Sequence, residues 1–171
     1  AVVQQIDRRQ AALTVSAMQH SQPIQRPRLF FGMTKFPALE VVLQKSTEVG
    51  VSEIILIPAE YTPIRFDESV FEEKKGRWLR IIQSACEQSR QLYVPTLAYR
   101  SYAESLDEKR GQCMLHPEAD KVLRVSDLDV DTDVFIGPEG GWSDDEVSRF
   151  TGQTLKLSLI HISEPTRQFA I

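Results

Sequence analysis

The feature that most constrains the fold is an alternation, from about residue 28 to residue 155, of short apolar runs with longer amphipathic segments. We interpret the runs as strands because they are short and several are rich in β-branched and aromatic residues. In chain order they read RLFFGM, SEIILIPAE, PTLAY, GQCMLH, KVLRVSDL and TDVFIG. KVLRVSDL also fits a loop or a helix. Strands that alternate with helices predict an α/β fold with a mainly parallel sheet.

Two of the intervening segments carry clear helix signals. In TKFPALEVVLQKSTEVG, Thr34 is a candidate N-cap, Pro37 lies in the first turn and Gly50 is a candidate stop. The longest helix is predicted from Asp67 to about Gln91. On a helical wheel its apolar side chains share one face and a polar set shares the opposite face. The apolar set is Phe71, Trp78, Ile82 and Ala85, and the polar set is Arg77, Arg80, Ser84, Gln88 and Gln91.

The stretch FIGPEGGWSDDEV is the strongest candidate for a functional site. Its Gly-Pro-Glu-Gly-Gly turn follows a predicted buried strand and precedes Ser143-x-x-Glu146, a capping box that begins a helix. Ligands of open α/β sheets gather beyond the carboxyl ends of strands, and glycine lets the backbone approach them closely. The turn matches neither common phosphate motif, and the acidic residues after it would repel a phosphate. A nucleoside or a sulfonium compound fits better than a triphosphate, and a tight turn without a ligand is the alternative.

Composition excludes several classes of protein. No apolar run approaches the length of a membrane span, and the two cysteines, Cys86 and Cys113, have no metal-like spacing. They are typical of reduced, structural thiols in a cytosolic protein. The three histidines are scattered, so no metal site is predicted. A net charge of −4 argues against bulk electrostatic binding to nucleic acid, although it allows a local basic face.

Four motifs in order carry a resemblance to a known family, and they read LQKSTEVGV, RWLRIIQSACEQS, LHPEA and IGPEGGWSDDE. Together they resemble the bacterial uridine-N3 methyltransferases of small-subunit ribosomal RNA, in the SPOUT superfamily. The resemblance runs from about Leu29 to Leu155. It implies a PUA-like RNA-binding β-barrel followed by an α/β domain with a trefoil knot. It also implies a cytoplasmic homodimer that binds S-adenosyl-L-methionine in the knot and needs no metal.

The resemblance assigns roles to individual residues. The residues expected to bind the cofactor are Leu115, His116, Gly137, Pro138, Glu139, Gly140, Gly141 and Leu157. Glu139 and Arg90 are the candidate catalytic residues, although Glu139 could equally bind backbone N–H groups of its own turn, and a lone histidine such as His116 is more often a packing residue. The candidate RNA-binding residues are Lys35, Arg77, Arg80 and Gln91, and an ordinary solvated face is the alternative.

Departures from the family pattern qualify this assignment. After EQS the family has Gly-Arg where this chain has Arg90-Gln91, and basic residues are usual where this chain has Ala38 and Tyr61. A different RNA contact, such as Arg65, is then expected.

The expected domains are residues 1–25, a remnant of the β-barrel, 26–155, the methyltransferase domain, and 156–171, a tail unlike the family. The missing family segments suggest one alternative, an inactive RNA-binding or dimerisation fragment. A different nucleotide-binding α/β protein is a second alternative.

Overall fold

The computed structural model describes residues 2–6, 11–14, 26–106, 110–124, 128–129 and 131–157. Its strands are β1 (Val2–Ile6), β2 (Ala11–Thr14), β3 (Arg28–Gly32), β4 (Glu53–Ile57), β5 (Thr96–Tyr99), β6 (Gln112–Leu115), β7 (Asp133–Ile136) and β8 (Gln153–Leu155). Its helices are α1 (Phe36–Val49), α2 (Glu68–Ser89), α3 (Tyr102–Ser105) and α4 (Asp144–Arg149). Strands β1 and β2 form an antiparallel pair, and β3 to β8 form one sheet.

The prediction of a mainly parallel α/β sheet is confirmed. The described part of the chain forms a six-stranded sheet in the order β5-β4-β3-β7-β6-β8, and its strand pairs are parallel. Strand β8 was not among the predicted strands. The predicted strand KVLRVSDL contributes one isolated bridge, between Val122 and Lys156, and residues 125–127 of it lie outside the described residues.

The strand order creates a switch point at the centre of the sheet. After β3 the chain crosses to β4 on one side, whereas after β7 it crosses to β8 on the other side. Two connections that leave neighbouring strands in opposite directions open a crevice at their carboxyl ends. The Gly-Pro-Glu-Gly-Gly turn is the connection that follows β7, so it borders this crevice.

Alternating strand residues build a core on each face of the sheet. Leu29 and Phe31 of β3 pack toward α1 and α2, whereas Phe30 stacks on Phe135 of β7 with ring centroids 4.3 Å apart on the other face. The predicted apolar face of α2 is confirmed, since Phe71, Trp78, Ile82 and Ala85 are all buried.

The ends of the helices correct two details of the sequence interpretation. The N-cap of α1 is Lys35 rather than Thr34, although Pro37 lies in the first turn and Gly50 ends the helix with a φ of 87°, as expected. Helix α2 begins after Asp67, whose side chain accepts a hydrogen bond from Val70 N–H, and ends at Ser89. Gln91 therefore lies beyond the helix, and its placement on the polar helical face was wrong.

Arg90 takes a strained conformation that glycine would relieve. Its φ of 56° is the only positive φ at a non-glycine residue in the described part of the chain, and the family pattern has glycine at this position. We expect Arg90→Gly to raise the free energy of unfolding by about 1 kcal/mol, measured by urea titration. The matched control is Arg80→Gly on the exposed face of α2, which should lower the free energy of unfolding by about 1 kcal/mol. A loss of stability in Arg90→Gly would contradict this prediction.

Candidate functional site

The three glycines of the turn after β7 meet two geometric requirements. A Cβ on Gly137 would lie 3.2 Å from both Gly141 C and Trp142 Nε1. A Cβ on Gly140 would lie 2.8 Å from the Cβ of Tyr61. Gly141 has a φ of 76°, and its N–H closes the turn on Pro138 O at 2.9 Å. The turn therefore depends on close backbone approach at two positions and on left-handed backbone at a third.

The turn packs directly on the end of the central strand. A Cβ on Gly32, the last residue of β3, would lie 2.5 Å from Pro138 Cδ and 2.8 Å from Pro138 N. Such a distance is below any real carbon contact, so Gly32 is required for the turn to reach the sheet. The spacing of the sequence motifs gave no sign of this contact, because the two segments are more than a hundred residues apart.

Glu146 anchors the helix that follows the turn. The predicted capping box is present, with Ser143 N–H donating to Glu146 Oε2 at 2.9 Å. The other carboxylate oxygen accepts from Glu60 N–H at 3.0 Å, so the connection after β4 is bonded to α4. Tyr102 Oη donates to the backbone carbonyl of Glu146, and burial, followed by the charge of Glu146, raises the pKa of this phenol. Tyr102 is thus a neutral donor that holds α4 in place.

A cavity of about 480 Å³ opens beside the turn. It brings together every residue predicted to bind the cofactor, from the ends of β6 and β7 and the residues after β8. Its lining consists of Leu115, His116, Pro117, Ile136, Gly137, Pro138, Glu139, Gly140, Gly141, Trp142 and Leu157. Pro117, Ile136 and Trp142 were not predicted, although all three lie beside motif residues in the sequence. The volume is in the range of small-molecule sites.

The chemistry of the lining fits a neutral or cationic ligand. Among the described residues the lining contains no lysine or arginine, and Glu139 is its one carboxylate. Glu139 is exposed and makes no hydrogen bond among the described residues, so the alternative that it holds N–H groups of its own turn is not supported there. Trp142 Nε1 is buried and has no hydrogen-bond partner within the described residues. Buried donors are almost always paired, so this one favours an acceptor on a ligand.

S-adenosyl-L-methionine fits this set of residues. Its sulfonium is a cation, which the carboxylate of Glu139 would attract. Its adenosine has an apolar surface that suits the apolar lining and hydrogen-bond acceptors that suit Trp142 Nε1. Among the described residues no three His, Cys, Asp or Glu side chains are grouped to hold a metal. None of the helices described is both long and apolar enough to cross a membrane.

Arg90 lies at the wrong edge of the sheet to act in this cavity of the same chain. Helix α2 begins after the carboxyl end of β4 and ends before the amino end of β5, so Arg90 is at the amino edge. The cavity is at the carboxyl edge, and a strand of five residues separates the edges by about 17 Å. Within one chain the structure therefore does not bring Arg90 to this cavity, and its catalytic role stays a prediction.

The predicted RNA-binding residues are dispersed. Gln91 donates to Glu48 O at 2.9 Å and accepts from Arg26 at 3.1 Å, so its amide is already engaged. Lys35 is exposed at the start of α1. Arg77 and Arg80 line a groove of about 490 Å³ between α1 and α2. The sequence had placed Arg77, Arg80 and Gln91 on one helical face, with Lys35 as a separate contact. The groove keeps Arg77 and Arg80 together, and Gln91 is the residue that leaves this face.

Within the groove, Arg77 and Arg80 differ in their partners. Arg77 binds Glu40 through two hydrogen bonds of 2.6 and 2.9 Å, and the bond from Arg77 lowers the pKa of the Glu40 carboxyl. Arg80 donates to Gly76 O at 3.1 Å and has no carboxylate partner among the described residues. Arg80 thus provides the uncompensated positive charge of this groove.

Comparisons with known proteins agree with the geometry. A family model described as an RNA methyltransferase domain matches residues 20–161. The ribosomal RNA small subunit methyltransferase E of Bacillus subtilis is 28% identical over 135 residues, which are 71% of this chain and 53% of that protein. The protein of the same name from Synechocystis is 26% identical over 130 residues, which are 70% of this chain and 42% of that protein. The chain thus spans about half the length of these relatives.

A solved structure shows the same fold. The crystal structure of a ribosomal RNA small subunit methyltransferase E from Neisseria gonorrhoeae, bound to S-adenosyl methionine, superposes with a TM-score of 0.67. The two sequences are 27% identical, and the match covers 78% of this chain and 58% of that chain.

Proposed function

The chain belongs to the RNA methyltransferase domain family, and from this premise we propose that it is part of an S-adenosyl-L-methionine-dependent enzyme that methylates N3 of a uridine in small-subunit ribosomal RNA. The observation that carries the proposal is the cavity at the carboxyl edge of the sheet. Every residue predicted to bind the cofactor lines it. The names of the relatives support the substrate class.

The residues of the cavity divide the work of methyl transfer. The cofactor, when bound, supplies an activated methyl group on its sulfonium. The Gly137–Gly141 turn and the indole of Trp142 bind and orient the donor, because transfer depends chiefly on alignment of donor and acceptor. The N3 imide of uridine must lose its proton as the new bond forms. Glu139, the one carboxylate among the described residues of the lining, is the candidate to accept that proton.

The remaining expectations become part of the same proposal. A cytoplasmic homodimer binds the RNA, with Lys35, Arg77 and Arg80 as contacts to phosphates. The antiparallel pair of β1 and β2 lies in residues 1–25 and is compatible with a remnant of a β-domain. Leu157 belongs both to the cavity lining and to the segment 156–171, of which residues 158–171 lie outside the described residues.

Calorimetric titration of this chain tests the proposal against both alternatives. We expect S-adenosylhomocysteine to bind and ATP not to bind, because none of the described residues that line the cavity carries a positive charge. Binding of ATP alone would favour a different nucleotide-binding protein. Binding of RNA without S-adenosylhomocysteine would favour an inactive RNA-binding module. Mass spectrometry of small-subunit ribosomal RNA after incubation with cofactor then tests for N3-methyluridine.

Arg80 provides a separate test of the RNA-binding groove. We expect Arg80→Gln to weaken binding of a single-stranded RNA and to reduce the slope of log affinity against log salt by about 0.7, the value for one phosphate contact. Fluorescence anisotropy at several salt concentrations measures both quantities. Glu40→Gln is the opposite control, because it frees the charge of Arg77 and should strengthen binding. Unchanged slopes in both variants would show that the groove is an ordinary solvated face.

A further inference from the structure

We propose that Tyr61 is a stacking platform for an unpaired base of the RNA substrate, beside the cavity that holds the methyl donor. The inference rests on the proposed function and adds a residue to it. Tyr61 follows β4 and is 50% exposed, so one side of its ring is available to a partner. It lies against the turn, since a Cβ on Gly140 would be 2.8 Å from Tyr61 Cβ and 3.5 Å from Tyr61 Cγ.

The backbone that carries Tyr61 is held on both sides. Thr62 N–H donates to Ala59 O at 3.1 Å, and Ala59 N–H donates to Thr62 Oγ1 at 3.0 Å, which closes a tight turn around Tyr61. Glu60 N–H donates to the buried carboxylate of Glu146 at 3.0 Å. The ring is thus presented from a segment bonded to α4, and its position is coupled to the glycine turn.

No polar or ring contact within the described part of the chain occupies the exposed side of the Tyr61 ring. Within the described part of the chain, the Tyr61 side chain packs on Gly140 and takes part in no hydrogen bond, ion pair or ring contact. It does not line the cavity, although it touches Gly140, which does. Proteins use exposed aromatic rings to stack on the unpaired bases of single-stranded RNA, and Tyr61 lies next to a cavity whose lining fits a nucleoside.

A stacking role for Tyr61 would let this part of the surface contact RNA without a basic side chain. The family pattern has arginine where this chain has Tyr61, and both side chains offer a flat surface to a base. A guanidinium stacks on a base and attracts phosphates through its positive charge, whereas a neutral phenol ring stacks without that charge. The contribution of Tyr61 should therefore depend little on salt, unlike that of Arg80.

Fluorescence anisotropy with a labelled single-stranded oligouridine, in the presence of S-adenosylhomocysteine, tests the inference. We expect Tyr61→Leu to raise the Kd for RNA by about 5- to 160-fold, the effect of losing one stacked base. Tyr61→Phe keeps the ring and should change the Kd less than about two-fold. Tyr93→Leu, the same substitution at the amino edge of the sheet, is the matched control and should also leave the Kd for RNA unchanged.

Titration with S-adenosylhomocysteine separates this inference from the proposed function. We expect Tyr61→Leu to bind it as the unmodified chain does, because Tyr61 does not line the cavity. An unchanged Kd for oligouridine in Tyr61→Leu, or equal losses in Tyr61→Leu and Tyr93→Leu, would overturn the inference and leave the proposed function intact. Failure of the unmodified chain to bind S-adenosylhomocysteine would instead overturn the proposed function.

Discussion

Asp133→Asn is expected to lower the free energy of unfolding by about 3 kcal/mol, which corresponds to a fall in Tm of roughly 6–12 °C. The Asp133 side chain is fully buried at the start of β7. Its carboxylate accepts from Arg28 Nε at 2.9 Å and lies 3.4 Å from Arg110 Nε. Removing its charge leaves the guanidinium of Arg28, which is 12% exposed, without its main partner. Glu53, at 3.7 Å from Arg28, offsets part of the loss.

The control for this prediction is the same substitution at an exposed pair. Asp145 is 72% exposed and lies 3.4 Å from Arg149 one helical turn away. Asp145→Asn should change stability by less than about 0.5 kcal/mol, because water screens an exposed pair. Urea unfolding followed by circular dichroism measures both variants. Equal losses would mean that the buried position of Asp133 contributes nothing beyond a surface pair.

Gly137→Val is expected to reduce the affinity for S-adenosylhomocysteine by at least about 100-fold, or about 2.7 kcal/mol. The Cβ alone would lie 3.2 Å from Trp142 Nε1 and 3.2 Å from Gly141 C, both on the cavity wall. The two methyl groups of valine extend further from a position of the cavity wall that has no side chain in the unmodified protein. Either the ligand is excluded or the turn moves away from Trp142, and both results disrupt the site.

Two further variants show whether the effect is local. Gly76→Val adds the same side chain on the exposed face of α2, where a Cβ meets nothing within 4 Å. It should leave the affinity for S-adenosylhomocysteine unchanged. Gly137→Ala should weaken binding by roughly ten-fold, because it adds the close contact without the extra methyl groups. Thermal unfolding confirms that each variant is folded. Full affinity in folded Gly137→Val would show that the ligand does not use this turn.

Local patterns in the sequence predicted most of the elements and the position of the glycine turn. The apolar runs predicted five of the six parallel strands, and the capping box at Ser143 predicted the start of α4. The glycine turn marked the cavity, because glycines after a buried strand have few uses other than a tight approach. These features depend on residues within a few positions of one another, so their periodicity and spacing are visible along the chain.

The tertiary structure decided everything that depends on which strands are neighbours. Placement of β7 beside β3 brings Pro138 onto Gly32, buries Asp133 against Arg28 and brings Trp142 to the lining of the cavity. The end of α2 at Ser89 moves Arg90 to the opposite edge of the sheet and removes Gln91 from the helical face. Strand order is set by the burial of both faces of the whole sheet, a sum over distant residues that no local pattern contains.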